Sequence, residues 1–358
     1  MKKKKMPLKR ESLIRFSSSV IAILGGLLVG LIILLITNPR DAFGGFIMIL
    51  LGGFSGGMRG IGQVLYIATP IMMTGLAVGF AFKTGLFNIG ASGQFIMGAY
   101  FALFVSIRFT SLPESVHWIV AVIAAAIGGA LWALIPGLLK AYYNVHEVIS
   151  TIMMNYIGMY LVNYMVTQTI YNSLKNQSLD PIAVIPRMGL NTIFAGSSVH
   201  GGILLAIIIA VIIYFLLNKT TFGYELKACG FNMDASKYAG INEKRGIVLS
   251  MVIAGALAGI GGSFLYLART GKSIEVIDRL APEGFAGISV ALLGLSNPIG
   301  IIFSSIFIAH ITQGGFYAQR LNFKPEIIEI MTAVIIYFSA FSLMVKMFFN
   351  KRDEKRKM

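Results

Sequence analysis

The chain has 358 residues, 56% of them hydrophobic and only 13% charged, with the apolar residues spread along its whole length. A soluble domain must surround its core with polar side chains, so this composition excludes one and describes a polytopic membrane protein. The net charge of +15 gathers largely at the ends, in Lys2–Lys5 with Lys9, Arg10 and Arg15 and in Lys351–Lys357, which reads as anchoring beside anionic lipid rather than as a nucleic-acid surface.

A helix crossing the hydrocarbon layer needs about 20 apolar residues. Runs of that kind predict spans near 16–36, 61–82, 87–107, 117–139, 147–169, 202–217, 247–268, 283–295, 299–315 and 326–348. The expected fold is therefore an all-α polytopic membrane protein of about ten transmembrane helices. The basic start followed by 16–36 imitates a secretory signal, but the apolar run is too long for a signal core and no A-x-A-like site follows, so a retained first span is expected. Segment 38–60 is apolar but short and crowded with glycine, and reads as interfacial or re-entrant; a crossing there would make the span count odd.

Ten spans place both ends on one side. With residues 1–15 and 349–358 as basic cytoplasmic tails around a transmembrane domain at 16–348, tails and loops together place 20 Lys and Arg inside, Lys346 near the end of the last span included, against 10 outside, the asymmetry of the positive-inside rule. Loop 170–201, with Pro181 and Pro186, then faces outward as an irregular cap or short interfacial helix. Loop 218–246 faces the cytoplasm, and its charges are mixed with Leu226, Ala228, Ala235, Ala239 and Ile241, a pattern suited to a short helix docking into a partner's groove.

Glycines four apart, Gly26/Gly30, Gly56/Gly60, Gly75/Gly79 and Gly255/Gly259, allow close helix packing. Gly75–Gly79 leading to Lys83-Thr84-Gly85 is similar to Gly255–Gly259 leading to Arg269-Thr270-Gly271, which suggests an inverted repeat with interrupted helices meeting at mid-membrane.

Polar residues interrupt three spans. Asn88, Ser92 and Gln94 sit among glycines near the start of 87–107, where they are costly unless they line a cavity or satisfy one another; Asn88 alternatively caps a helix at the membrane face. Asn144 with Glu147 forms a capping-box-like start to 147–169, and Asn155 and Asn163 share a face of that helix, pointing into a pore or a helix seam. Glu283 lies at a helix N-terminus, where the dipole favours an acid.

Nothing in the sequence resembles a hydrolytic or redox centre. His117, His146, His200 and His310 are scattered, and Cys229 is alone, with no partner for a disulfide or a metal. Gly271-Lys272-Ser273 ends like a phosphate-binding loop, but Tyr266 stands where the upstream glycine is required. No cofactor, metal or ATPase site of its own is expected, so active transport would draw on a partner or an ion gradient.

Four segments in order, FNIGASGQFIMGAY (87–100), NVHEVISTIMMNYI (144–157), TFGYELKACGFNMDASKYAGIN (221–242) and PEGFAGISVALLG (282–294), resemble the ABC importer permease family for branched-chain amino acids, simple sugars and nucleosides. Asn88–Gln94 stands where the sugar branch carries a Gly-Gly-Ile-Asp-Leu-Ser-like signature, so the likeness is to the nucleoside branch; Ser92 and His146 depart from the Glu and Asn frequent in relatives. The resemblance implies a permease subunit in a bacterial cytoplasmic membrane, with an ABC ATP-binding subunit that hydrolyses ATP, a second permease, identical or homologous, and an extracytoplasmic solute-binding protein. It implies a coupling helix over 226–241, including Gly230, Asn232 and Gly240, and a solute pathway past Asn88, Ser92, Gln94, Glu147, Asn155, Asn163 and Glu283. The alternative, an ion-gradient-driven secondary transporter, needs intramembrane acids, and only Glu147, Glu283 and Glu329 lie near span ends.

Overall fold

The computed structural model describes residues 8–340. The side chains of the basic tails, the residues of 326–348 beyond 340 and the Glu329 side chain lie outside that description. The order of elements is α1 (Leu8–Thr37), α2 (Ala42–Leu51), a 3-10 turn (Gly52–Gly56), α3 (Gly57–Lys83), α4 (Ala91–Arg108), α5 (Glu114–Tyr143), α6 (Glu147–Thr169), β1 (Tyr171–Asn172), β2 (Gln177–Ser178), α7 (Leu190–Ile193), α8 (Gly202–Lys219), α9 (Thr221–Phe231), α10 (Met233–Tyr238), α11 (Glu243–Tyr266), α12 (Pro282–Leu293), α13 (Pro298–Ala318) and α14 (Pro325–Ala340). Among the described residues the fold is all-α apart from one two-residue antiparallel hairpin, β1 with β2, inside the loop read as an irregular cap.

Among the described residues five helical stretches are long and apolar enough to cross a membrane, at Ala42–Lys83, Glu114–Tyr143, Gly202–Lys219, Glu243–Tyr266 and Pro298–Leu321. The region read as a span at 283–295 is a helix of only 12 residues, about 18 Å long at 1.5 Å per residue, too short to cross alone. Helix α2 has 10 residues and the same limitation.

The chain divides into two compact units, residues 61–309 and the flanking segments 1–60 with 310–358. In the flanking unit α1 packs along α14, and α2 is held by His310, whose Nε2 lies 3.0 Å from the Leu50 carbonyl oxygen.

The unit over 61–309 is inverted relative to a soluble protein. Helix α5 exposes Val116, Ile119, Ile123, Ile127, Leu131, Ile135 and Leu138 on one stripe, and buries Ala121, Ala125, Gly128, Gly129, Ala133 and Gly137 on the other. Large apolar side chains turned outward suit a hydrocarbon solvent, and small ones turned inward let backbones meet where no hydrophobic drive exists. Helices α4, α5 and α11 use this to an extreme. A Cβ at Gly259 would stand 2.2 Å from the Ala125 carbonyl oxygen, and one at Gly98 would stand 2.2 Å from the Gly259 Cα.

Two ends of this unit are distinguishable. At one, Lys244 lies over the Tyr142 ring at 5.0 Å and α9 packs on the Lys83–Gly85 turn. At the other, the 170–201 loop meets the segment after α11: the Ile185 N–H donates to the Leu267 carbonyl at 2.9 Å, and the Ser178 N–H donates to the Ile274 carbonyl at 2.8 Å.

Gly259→Ala is expected to destabilise by about 1–3 kcal/mol through overpacking and to lower the thermal midpoint of the solubilised protein. Gly246→Ala, on the same helix but with nothing nearer than 3.7 Å to the added Cβ, should leave the midpoint unchanged or raise it. Equal losses in both variants would show that helix propensity, not backbone approach, governs these positions.

Candidate functional site

Helix α3 ends at Lys83, and residues 84–90 leave helical conformation before α4 begins at Ala91. Gly85 makes the turn at φ +75°, and the Thr84 and Ser250 hydroxyls lie 2.5 Å apart beside it. A break inside a membrane unit frees backbone groups that water cannot reach, so each needs a protein partner. The sequence supplies them. Asn88 and Gln94, fully buried, exchange two amide hydrogen bonds at 2.9 and 3.1 Å, and Asn88 Oδ1 also accepts from the Gly90 N–H at 3.1 Å.

The cap of α4 comes from another helix. Its N-cap position is Gly90, without a side chain, and Asn155 of α6 replaces what is missing: Oδ1 accepts from the Gly93 N–H at 2.8 Å and Nδ2 donates to the Ile89 carbonyl at 3.0 Å. Asn88 itself is two residues before the N-cap and is not the helix cap. Asn155 is 1% exposed, so both bonds are shielded.

A second helix start meets this one. Helix α12 opens with Pro282 after Ala281, and the Ala281 carbonyl accepts from the Ser92 hydroxyl at 2.9 Å. Gly284 lies so close that a Cβ there would be 2.4 Å from the Ser92 N and Cα. Thr74 of α3 donates to the Glu283 carbonyl at 2.8 Å. Two helix N-termini thus face one another, each carrying about half a positive charge.

Against this junction, towards the hairpin end, lies a cavity of about 330 Å³. Ile96, Leu265 and Tyr266 form an apolar wall, Glu283 sits beside Ala281 and Pro282, and Gln177 with the 271–279 segment forms the rim. Asn163 is not in the cluster with Asn155. It is half-buried and donates to the Ile277 carbonyl at 3.1 Å, tying α6 to that rim segment. Glu147 is at the other end, paired with Lys140 at 3.0 Å. The cap expected from Asn144 is also corrected. Helix α5 runs on to Tyr143, so Asn144 becomes its left-handed C-cap at φ 52°, and His146 caps α6 by accepting the Val148 N–H on Nδ1 at 3.3 Å.

Residues 226–241 are two helices rather than one. Asn232 is extended at φ −161°, ends α9, and caps α10 by accepting the Ala235 N–H at 3.0 Å. Leu226 and Cys229 are buried, and a Cβ on Gly230 would lie 2.7 Å from the Lys83 carbonyl oxygen and 2.8 Å from the Gly85 nitrogen. The outer side is a groove of about 1030 Å³ lined by Tyr224, Ala228, Phe231, Ala235, Ala239 and Ile241, with Phe231 90% exposed. Asn232 also lines it, and Gly240 turns the chain after α10 at φ +81°.

Residues 60–340 match the family described as branched-chain amino acid transport system / permease component. The chain belongs to this family. It is 38% identical to the guanosine ABC transporter permease protein NupP of Bacillus subtilis, over 94% of this chain and 96% of that one. It is 35% identical to the nucleoside ABC transporter permease protein NupB of Lactococcus lactis, over 93% and 92%, and 30% identical to the glucose ABC transporter permease protein TsgB13 of Haloferax volcanii, over 90% and 86%. No solved structure matches the chain. It is the permease component of an ABC transporter, a multi-pass membrane protein and not an enzyme.

Several bonds in this permease escaped sequence reasoning. Thr74, Thr84 and Ser250 carry no signal, because a lone hydroxyl in an apolar helix most often bonds its own i−4 carbonyl. His200 is another. It is 2% exposed, its Nδ1 accepts from the Gly202 N–H at 3.1 Å, its ring contacts those of Tyr66 and Phe264, and its buried Nε2 has no hydrogen-bond partner among the described residues. Burial, with a smaller contribution from Arg187, pushes the imidazole down to about 4.

Asn155→Ala strands a buried N–H and a buried carbonyl, each costing about 1–3 kcal/mol, and should lower the unfolding midpoint well below that of Asn163→Ala. For His200, the unfolded chain binds the proton first, near the ordinary value of 6.5, and the folded one only near 4. The His200 contribution to stability should therefore fall on acidification through that window, by up to about 1.4 kcal/mol per pH unit. His200→Gln should remove that part of the slope in unfolding measured between pH 7 and 4; an unchanged slope would assign the acid sensitivity elsewhere.

Proposed function

We propose that this chain is one half of the membrane channel of an ABC importer for nucleosides, working by alternating access. The observation that carries the reading is the junction of two helix breaks at Ser92 and Gly284, set against a solute-sized cavity. Interrupted helices meeting inside a transporter are where polar solutes bind, because only there is non-helical backbone available away from lipid. The nucleoside cargo rests on the names of the relatives at 38% and 35% identity. In this reading Asn88, Gln94, Ser92 and Asn155 belong to the pathway as the bracing of its broken helix, Glu283 and Asn163 as its lining, and Glu147 as an anchor at the cytoplasmic end.

The chain would cross a bacterial cytoplasmic membrane ten times with both termini cytoplasmic, counting α12 and the segment before it as one crossing. The two turns Lys83-Thr84-Gly85 and Arg269-Thr270-Gly271 support the inverted repeat: both glycines are left-handed, at φ +75° and +72°, and each precedes a broken helix. A second permease, identical or homologous, would complete the channel, and an extracytoplasmic solute-binding protein would deliver cargo at the hairpin end. An ATP-binding subunit would dock in the groove of α9 and α10, which form the coupling element.

Phe231→Ala and Tyr224→Ala test the docking. Both side chains are exposed, at 90% and 69%, so membrane yield should be unchanged. Co-purification of the ATP-binding subunit and ATP-dependent nucleoside uptake should drop by about tenfold or more, the loss expected when an aromatic anchor leaves an interface. Gly230→Trp should damage the permease itself, since that position faces the Lys83–Gly85 turn. Normal co-purification with both exposed aromatics removed would place the docking surface elsewhere.

A further inference from the structure

The cavity at the helix junction has a mixed lining. Ile96, Leu265 and the Tyr266 ring supply apolar lining, and another part of the lining carries charge. Lys272 and Arg279 are matched by Glu275 and Glu283, so the formal charges of the lining cancel. Lys272, Glu275 and Arg279 are exposed at the rim, while Glu283 is half-buried in the first turn of α12. Among the described residues its carboxylate makes no hydrogen bond or ion pair; only its backbone carbonyl is engaged, by Thr74.

A carboxylate in a half-enclosed cavity accepts hydrogen bonds and donates none. Leaving both oxygens without donors is costly away from bulk water. Every other polar side chain at the junction is already committed: Ser92 to Ala281, Asn155 to Gly93 and Ile89, Asn88 and Gln94 to one another. Among the described residues of the cavity lining the Glu283 carboxylate, like the Tyr266 hydroxyl, makes no hydrogen bond, and of these two groups only Glu283 is purely an acceptor.

We infer that Glu283 selects the solute, its two oxygens accepting from two adjacent donors on a neutral nucleoside whose base lies on the Ile96, Leu265 and Tyr266 wall. This deepens the nucleoside-import reading and rests on it. A flat apolar ring joined to a donor-rich edge matches a cavity with both apolar and accepting lining. A nucleotide is disfavoured, because its phosphate would bring like charge to Glu283. The donor pair has two sources, the ring N–H and amino group of guanine or the vicinal hydroxyls of ribose.

The test uses the complete transporter in proteoliposomes at saturating solute-binding protein, with labelled guanosine, inosine and 2′-deoxyguanosine. Glu283→Gln and Glu283→Ala should raise the KM for guanosine by about tenfold or more, the effect of losing charge-assisted hydrogen bonds, with Glu283→Asp intermediate. The binding protein's own Kd for guanosine and the yield of assembled complex should not change. Glu114→Gln, exposed at the start of α5 and outside the cavity lining, should stay within about twofold, as expected for an exposed charge. Wild-type preference for guanosine over inosine that disappears in Glu283→Gln assigns the base edge; preference over 2′-deoxyguanosine that disappears assigns the sugar. A KM in Glu283→Gln within twofold of wild type overturns the inference and leaves nucleoside import standing, and if that variant does not assemble the same comparison is read from Glu283→Asp. A wild-type complex that moves no nucleoside overturns the import reading itself.

Discussion

A peptide group in hydrocarbon has no water to fall back on, and the fold is organised around meeting that requirement where helices stop. Most of the chain satisfies it by staying helical. At residues 84–90 it does not, and the freed groups of Ile89, Gly90 and Gly93 are taken up by Asn88 and Asn155. The Asn155 cap is supplied by a different helix, so the start of α4 has a defined conformation only when α6 is in place. Local structure and tertiary packing are therefore one event at this point, and the same holds where Ser92 takes the Ala281 carbonyl.

Close approach is the second condition. Hydrogen bonds of 2.8–3.0 Å from Asn155 to the α4 backbone need α6 and α4 nearly in contact, and there a Cβ on Gly93 would fall 2.9 Å from the Met154 carbonyl oxygen. The abundance of glycine and the buried amides serve one purpose: small residues bring backbones together, and Asn and Gln use the proximity.

Helix positions were largely legible in the sequence, because a run of about 20 apolar residues has few other uses. The span read at 147–169 matches α6 residue for residue. Boundaries failed where a residue serves two helices, as at 139–147: Asn144 suits an N-cap or a left-handed C-cap equally, and the choice fell to how far α5 continues. The break at Asn88–Gln94 was legible as a place where polar groups had to line a cavity or satisfy one another. What pattern alone could not give was the partner. Asn155 lies 62 positions from Gly93, Ala281 lies 189 from Ser92, and nothing local connects either pair. Segment 226–241 shows the same limit: its composition suggested a docking helix, while the elbow at Asn232 and the inward face of Gly230 depend on the Lys83–Gly85 turn beneath.

That turn gives the proposed coupling a physical path. Gly230 rests on Lys83, Thr84 and Gly85 through backbone atoms, and the chain runs from Gly85 directly into the broken segment and on to Ser92. Side-chain contacts absorb a displacement by changing rotamer, whereas backbone contacts at such distances do not. Movement of α9 must therefore shift the turn or separate from it. Shifting the turn pulls on Asn88, whose bonds to Gln94 and Gly90 hold the start of α4, and through Ser92 on the Ala281–Gly284 segment that carries Glu283. The same contacts that satisfy the break inside the membrane thereby join the proposed ATPase-docking surface to the carboxylate proposed to read the solute, with no long-range field or flexible linker between them.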